Sequence, residues 1–138
     1  MSNADEIRWQ QRFINFEKAM AKLEAACAVD EYSDLERAGL VKTFEFSFEL
    51  AWKTLKDLLF YEGYEEKTPR EVLRRAFEAG YLDDAATETV LDALDKRNLL
   101  SHTYDEDAAA EAVGLIKNRF APVLRAILTR LKEKRAST

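Results

Sequence analysis

The residues best suited to chemistry lie between positions 97 and 104, a segment that contains the single histidine of this 138-residue chain. Arg97 precedes that histidine, His102, by five positions, and Tyr104 follows it by two. A histidine titrates near neutral pH and can transfer protons, an arginine can hold a phosphate through its planar guanidinium group, and a tyrosine supplies a phenol that can hydrogen-bond or be modified. These three groups are suited to RNA cleavage without a metal ion.

The helix that carries Arg97 must end before His102 if both residues are to face one site. On an uninterrupted helix, residues five positions apart point about 140° away from each other. The segment 101–105 contains a serine, a threonine and an aspartate, which favour caps and turns. The sequence therefore predicts a helix break between Leu99 and Ser101, after which the chain turns back.

The composition predicts an all-α fold for the elements that position this segment. The chain has only four Gly and two Pro against 34% charged residues, which favours long helices over a turn-rich sheet. Its length and its 47% hydrophobic residues suit one compact domain spanning positions 1–138. We predict an antiparallel, up-and-down bundle of four to five helices with short connections.

Capping residues indicate where several of the helices begin and end. Ser33 and Glu36 have the spacing of a capping box, which starts a second helix that should run to about Tyr61. The segment 68–71, Thr-Pro-Arg-Glu, repeats this spacing with proline at the first helical position. Gly80 suits the left-handed conformation that commonly follows a helix, so a short third helix should end there.

The remaining helices are predicted mainly from the three- and four-residue spacing of apolar side chains. This spacing indicates a first helix over 5–27, with Ile7 on its apolar stripe. A fourth helix should begin at position 83 or 84, and the last long helix near 105–107. Pro122 lies inside that last helix and should bend it, because proline removes an internal hydrogen bond.

The second helix carries large apolar side chains around most of its circumference. One stripe contains Leu35, Ala38, Val41, Phe44, Phe48, Ala51, Leu55 and Leu58. Four more apolar residues lie off that stripe: Phe46, Leu50, Trp52 and Leu59. The helix should therefore be covered on more than one side, by the core of the bundle or, alternatively, by another subunit.

Charge and composition narrow the function classes. A net charge of −5 opposes broad, sequence-independent binding to nucleic acid, so any RNA site must be local. One histidine and the lone Cys27 give no metal-ligand spacing, and the thiol suits a small buried side chain. There is no glycine-rich phosphate loop, no signal-peptide pattern and no apolar run long enough for a membrane span. We expect a cytoplasmic protein without a metal, a cofactor or a membrane partner.

The arrangement R-x-x-x-x-H-x-Y formed by Arg97, His102 and Tyr104 resembles the signature of the HEPN superfamily of helical ribonucleases. The phenylalanine-rich segment 42–53 resembles that of one branch, the HepT-like toxins. Proteins of this branch are also known as nucleotidyltransferase substrate-binding proteins, and their genes lie beside a minimal nucleotidyltransferase. The resemblance covers nearly the whole chain. It implies a two-fold symmetric homodimer in which motif residues of both subunits line a shared cleft, and a metal-independent endoribonuclease that acts as a toxin.

The resemblance also implies roles for individual residues and a set of partners. Arg97 and His102 would be catalytic, Asn98 would be a polar support, and Tyr104 would contact RNA or be modified with AMP. RNA would be the substrate, and the adjacent nucleotidyltransferase would act as the antitoxin. The chemistry of the residues agrees with a dimer, since cleavage through a 2′,3′-cyclic phosphate needs both a base and an acid and each chain has one histidine.

Two other functions remain open at the level of the sequence. The chain could be a non-catalytic subunit that presents a substrate, or Tyr104 itself, to the nucleotidyltransferase. It could also be a plain helical adaptor, in which changes to the motif would affect stability alone.

Overall fold

The structure, a computed structural model, describes the backbone of residues 3–100 and 106–137, and every side chain in these ranges except that of Leu99. These residues are almost entirely helical and include no strand. The elements, in chain order, are α1 (Asn3–Cys27), α2 (Asp34–Tyr61), α3 (Pro69–Glu78), α4 (Asp84–Leu100), α5 (Glu106–Leu115), a π-helical turn (Ile116–Phe120) and α6 (Ala121–Ala136). Because α5, the π-helical turn and α6 follow each other without a gap, they form one rod. The predicted all-α bundle is confirmed, while the single domain and the dimer stay predictions.

Helices α1 and α2 form an antiparallel pair with most of the large apolar side chains between them. The Arg12 guanidinium lies 3.1 Å from Asp57 Oδ2, and the Ser47 hydroxyl donates to the Ala19 carbonyl at 3.4 Å. Residues late in α1 therefore meet residues early in α2. The largest buried side chains of the two helices are Trp9, Phe13, Phe16, Met20, Leu23, Leu40, Phe44, Phe48, Leu55, Leu58 and Leu59.

The last helix, α6, packs against both members of this pair. It runs antiparallel to α1, because Arg135 donates to Gln10 at one end of the contact and Arg125 pairs with Glu24 at the other. It runs parallel to α2, where Phe120, just before α6, stacks on a phenylalanine of α2 with ring centroids 5.6 Å apart. Helices α3 and α4 complete the bundle by packing on α2 and on α6, respectively.

The predicted N-terminal caps are present. The Ser33 hydroxyl accepts from the Glu36 backbone N–H at 3.2 Å, and the Glu36 carboxylate accepts from the Ser33 backbone N–H at 2.9 Å, so this capping box is confirmed. Thr68 caps α3 by accepting from the Glu71 backbone N–H at 3.2 Å. The Glu71 carboxylate accepts from the N–H of Lys67, one residue before the cap. The second capping box is therefore shifted by one residue, because the Glu71 carboxylate bonds to the N–H of the residue before the cap and not to that of the cap residue itself.

Helices α2 and α3 end in the same way, on a glycine with positive φ. Gly63 has φ +99° and Gly80 has φ +87°. After α3, the Tyr81 N–H donates to the Ala76 carbonyl at 2.9 Å and the Gly80 N–H donates to Phe77 at 3.1 Å, which is the Schellman pattern. The predicted glycine cap at Gly80 is confirmed. A tight turn follows, and Asp83 then caps α4 by accepting from a backbone N–H at 2.7 Å.

The structure accommodates Pro122 through the π-helical turn that comes directly before α6. The N–H of Ala121 donates to the carbonyl of Ile116, five residues back, so the hydrogen-bond register has shifted before the proline is reached. Pro122 then lies in the first turn of α6, where a missing N–H is tolerated. The sequence predicted a bend of this helix at Pro122, which stays a prediction, and it did not predict the π-helical turn.

Three residues that were predicted to face inward, Ile7, Leu35 and Ala38, are exposed. Ile7 has 59% of its surface accessible and Leu35 has 83%, and each lies near the beginning of its helix. An apolar repeat predicts which face points inward, whereas the extent of the neighbouring helices decides where along that face burial begins. In contrast, Trp52 and Leu59, which lie off the main stripe of α2, are buried, so the prediction that α2 is covered on more than one side is confirmed. Phe46 remains exposed.

Within the described ranges, none of the helices combines the length and the hydropathy that crossing a membrane requires.

Candidate functional site

Arg97 lies in the last turn of α4 and points toward the middle of α2. Its Nη1 atom is 3.7 Å from Oε2 of Glu49, and 36% of its side chain is exposed. This separation is longer than a hydrogen bond, so the two groups attract each other as charges at a partly exposed position. The guanidinium group is therefore located at the surface but is not locked in place by this contact.

Glu49 is itself fixed by other residues of α2. Its Oε2 atom accepts a hydrogen bond from Nε1 of Trp52 at 3.0 Å, and its Oε1 atom lies 3.3 Å from Nζ of Lys53. Residues three and four positions later on a helix lie on the same face, which explains both contacts. The Lys53 ammonium also lies 5.9 Å from the centre of the Trp52 ring. Since Trp52 is 7% exposed and packed in the core, the indole provides a rigid anchor for the carboxylate.

The sequence did not assign a role to Glu49. Its spacing to Trp52 and Lys53 was a signal for the two local contacts, and the residue lies inside the phenylalanine-rich segment 42–53. The contact with Arg97 had no such signal, because it depends on how α4 crosses α2.

The other predicted site residues are only partly described. Asn98 is exposed next to Arg97, as a polar support at a surface site would be. His102 and Tyr104 lie outside the described residues, and so does the turn predicted to follow Leu99. Helix α4 is described as far as Leu100 and α5 from Glu106. The predicted approach of His102 and Tyr104 to Arg97 therefore stays a prediction.

A second group of charged residues joins α4 to the π-helical turn. Asp92 accepts a hydrogen bond from Arg119 Nη1 at 2.8 Å and lies 3.2 Å from the Lys96 ammonium. Burial by itself raises the pKa of Asp92, but the hydrogen bonds from Arg119 and Lys96 outweigh that effect and lower its pKa. This ion-pair group ties the helix that carries Arg97 to the rest of the bundle.

The cations near the end of α4 are paired with carboxylates. Lys96 contacts Asp92, Arg97 contacts Glu49, and Arg70 of α3 contacts Asp95. This arrangement agrees with the acidic net charge of the chain. Within the described residues, the cations near the end of α4 therefore form no broad basic surface of the kind that binds nucleic acid.

Cys27 is half-buried, rather than fully buried as predicted, because it lies in the last turn of α1 at the edge of the bundle. It borders an open cleft of about 300 Å³ together with Lys117 and Arg125. Burial raises the pKa of the Cys27 thiol, and the charge of Lys117 opposes this only in part. The thiol therefore stays protonated near neutral pH, which agrees with a structural role.

The fold and the site together define a class of small helical-bundle protein with a half-exposed, ion-paired arginine at the end of one helix. Residues 11–133 match the family described as nucleotidyltransferase substrate binding protein like, and the chain belongs to that family. A crystal structure of a protein from Thermus thermophilus is similar, with a TM-score of 0.76 and 35% sequence identity over 85% of this chain and 98% of that one. No curated protein matches the chain.

Proposed function

We propose that the chain is the non-catalytic partner subunit of a nucleotidyltransferase, and that it presents the segment 97–104 to that enzyme. The observation that carries this proposal is the family match over residues 11–133. The position of Arg97 and Asn98 at the surface end of α4 supports it, because a partner enzyme can reach both residues. The acidic net charge also favours a protein partner over extended contact with RNA.

In this proposal Tyr104 is the group presented for modification. The phenol oxygen attacks the α-phosphorus of a nucleoside triphosphate held by the nucleotidyltransferase. The new oxygen–phosphorus bond forms as the bond to pyrophosphate breaks, pyrophosphate leaves, and the phenol proton passes to a base of the enzyme or to water. Arg97 would hold a phosphate oxygen during this transfer, because a guanidinium group binds phosphate through two parallel hydrogen bonds.

The first experiment measures the affinity of the chain for the nucleotidyltransferase encoded by the neighbouring reading frame. We expect Arg97→Ala to weaken the complex about tenfold or more, the usual effect of truncating an arginine at the centre of an interface. Arg125→Ala is the matched control, since Arg125 is also a half-exposed arginine paired with a glutamate of another helix. Equal affinities for the parent and the Arg97 variant would exclude this segment as the contact.

The second experiment tests the modification itself. The chain is purified after coexpression with the nucleotidyltransferase, and its intact mass and its peptides are measured. We expect the mass of one nucleotidyl group on the peptide that contains Tyr104, and no addition in the Tyr104→Phe variant. An unmodified Tyr104 in a stable complex would leave the chain as a partner that presents another substrate.

A metal-independent endoribonuclease toxin is the second candidate, and the spacing of Arg97, His102 and Tyr104 favours it. In a homodimer, one His102 would remove the 2′-hydroxyl proton and the other would protonate the departing 5′-oxygen, while the two Arg97 groups stabilise the charge on the phosphorane. The nucleotidyltransferase would then be the antitoxin that silences the site through Tyr104.

The toxin hypothesis is tested by RNA degradation in the presence of a metal chelator and by growth on expression. We expect His102→Ala and Arg97→Ala each to abolish both effects if the chain is a ribonuclease. Degradation by the His102 variant at the rate of the parent, or by a strictly monomeric parent, would exclude the composite site.

A further inference from the structure

We infer that Glu49 is a positioning residue for Arg97: its carboxylate directs the guanidinium group toward the ligand or partner that Arg97 contacts. The inference rests on the proposed function, because it assigns a helper to the arginine of the proposed site. It goes beyond that function in giving α2 a part in the site.

The carboxylate of Glu49 is fixed independently of Arg97. Trp52 donates to Oε2 at 3.0 Å and Lys53 lies 3.3 Å from Oε1, and both residues belong to the same helix as Glu49. The buried indole of Trp52 cannot move without disturbing the core. Glu49 therefore remains in place as a fixed negative charge when Arg97 binds something else.

Arg97 approaches this fixed charge without forming a tight pair. Its Nη1 atom stays 3.7 Å from Oε2, and about a third of the side chain is exposed. A pair of this kind adds little to folding stability. It does restrict the orientations of a long, flexible side chain that would otherwise lose rotamer entropy when it becomes ordered on binding. The ligand therefore meets a guanidinium group that is already oriented, and binding costs less.

The chain offers a close control in the pair formed by Arg12 and Asp57. Asp57 also belongs to α2 and also contacts an arginine of another helix, here at 3.1 Å with the carboxylate 12% exposed. This pair joins α1 to α2 and is not part of the site around Arg97. Removing the charge of Asp57 should therefore disturb a comparable contact without touching Arg97.

The first test measures the orientation of the arginine directly, by NMR relaxation of the arginine Nε–H groups in the isolated chain. We expect Glu49→Gln to increase the mobility of Arg97 and to leave Arg12 unchanged, and Asp57→Asn to have the reverse effect. Unchanged order of Arg97 in the Glu49→Gln variant would overturn the inference. Because no partner is needed, this result does not depend on the proposed function.

The second test is a double-mutant cycle on the affinity for the nucleotidyltransferase. We expect Glu49→Gln to weaken binding about three- to tenfold, as expected for the loss of one pre-oriented side chain. The same substitution should have no further effect in an Arg97→Ala background, and Glu49→Asp should restore part of the loss. Asp57→Asn should stay within about twofold of the parent.

The outcomes of these binding measurements distinguish the positioning role of Glu49 from the proposed function. If Arg97→Ala weakens binding but Glu49→Gln does not, the positioning role is wrong and the proposed function stands. If Glu49→Gln weakens binding equally with and without Arg97, Glu49 acts on its own and the inference is overturned. Tighter binding by the Glu49→Gln variant would show that the carboxylate competes with the ligand, which also overturns it. If Arg97→Ala has no effect, the proposed contact fails, and the NMR result decides the orientation alone.

Discussion

Two glutamates, one in the middle of α2 and one at its C-terminal end, contact residues from later parts of the chain. The two contacts differ in length and in exposure to solvent. The hydroxyl of Tyr81 donates its one proton to the carboxylate of Glu62, the C-terminal cap residue of α2, and lies 2.6 and 2.7 Å from its two oxygens. The same carboxylate lies 3.3 Å from the Lys134 ammonium. Glu49, in the middle of α2, lies 3.7 Å from the Arg97 guanidinium. Tyr81 is 7% exposed, whereas Arg97 is about a third exposed.

The difference separates a contact that stabilises the fold from one that can serve a site. The hydrogen bond from Tyr81 to Glu62 is short, charge-assisted and made by a buried phenol, so breaking it is costly. The pair at Glu49 is long and half-exposed, and its loss costs little free energy of unfolding. A residue that must exchange its partner for a ligand needs the second kind of contact, because a tight internal bond would compete with the ligand.

The largest expected effect on stability is that of Tyr81→Phe. This change removes the hydroxyl and leaves the Glu62 carboxylate in a shielded position with the Lys134 ammonium as its nearby partner. We expect a loss of about 1.5–3 kcal/mol in the free energy of unfolding, the usual range for hydrogen bonds to charged groups. Denaturant unfolding at neutral pH measures it. A loss close to zero would remove the contrast between the two glutamates.

A related effect should appear at alkaline pH. Burial raises the pKa of Tyr81 above its ordinary value of 10.0, and the hydrogen bond and charge of Glu62 raise it further. The fold therefore favours the neutral phenol, and this contribution is complete below pH 10. Above pH 10 it decreases, because the unfolded chain releases a proton that the folded chain retains. We expect the stability difference between the parent and Tyr81→Phe to narrow between pH 9 and 11. A constant difference across that range would contradict the role given to Tyr81.

The smallest effect should be that of Glu49→Gln on folding. The amide oxygen can still accept from the Trp52 indole, and only the charge attraction to Lys53 and Arg97 is lost. Since those pairs are half-exposed, we expect a loss below about 1 kcal/mol. The same substitution at Glu62 should cost more, and denaturant unfolding of the two variants side by side tests this. Equal losses would mean that both glutamates act mainly through stability.

Much of the fold could be predicted because its signals are local. The Ser33–Glu36 capping box and the glycine after α3 involve residues within one turn of each other, so the sequence pattern specifies the contact. The last helical rod is described from Glu106 onward, which agrees with a start in the predicted range 105–107. The π-helical turn near Pro122 could not be predicted, because a bend and a π-helical turn can each accommodate a residue that lacks a backbone N–H, and the sequence pattern does not distinguish them.

Some features of the candidate site could likewise be predicted from the sequence, and others could not. The sequence by itself determined that Arg97, His102 and Tyr104 lie within eight consecutive positions and that Arg97 belongs near the end of a helix. Only the tertiary structure decided that Arg97 meets Glu49 and that Tyr81 meets Glu62, because each contact depends on the packing of segments far apart in the chain. Spacing within a helix is set by its backbone geometry, whereas the partner across a helix interface is set by how side chains of both helices pack.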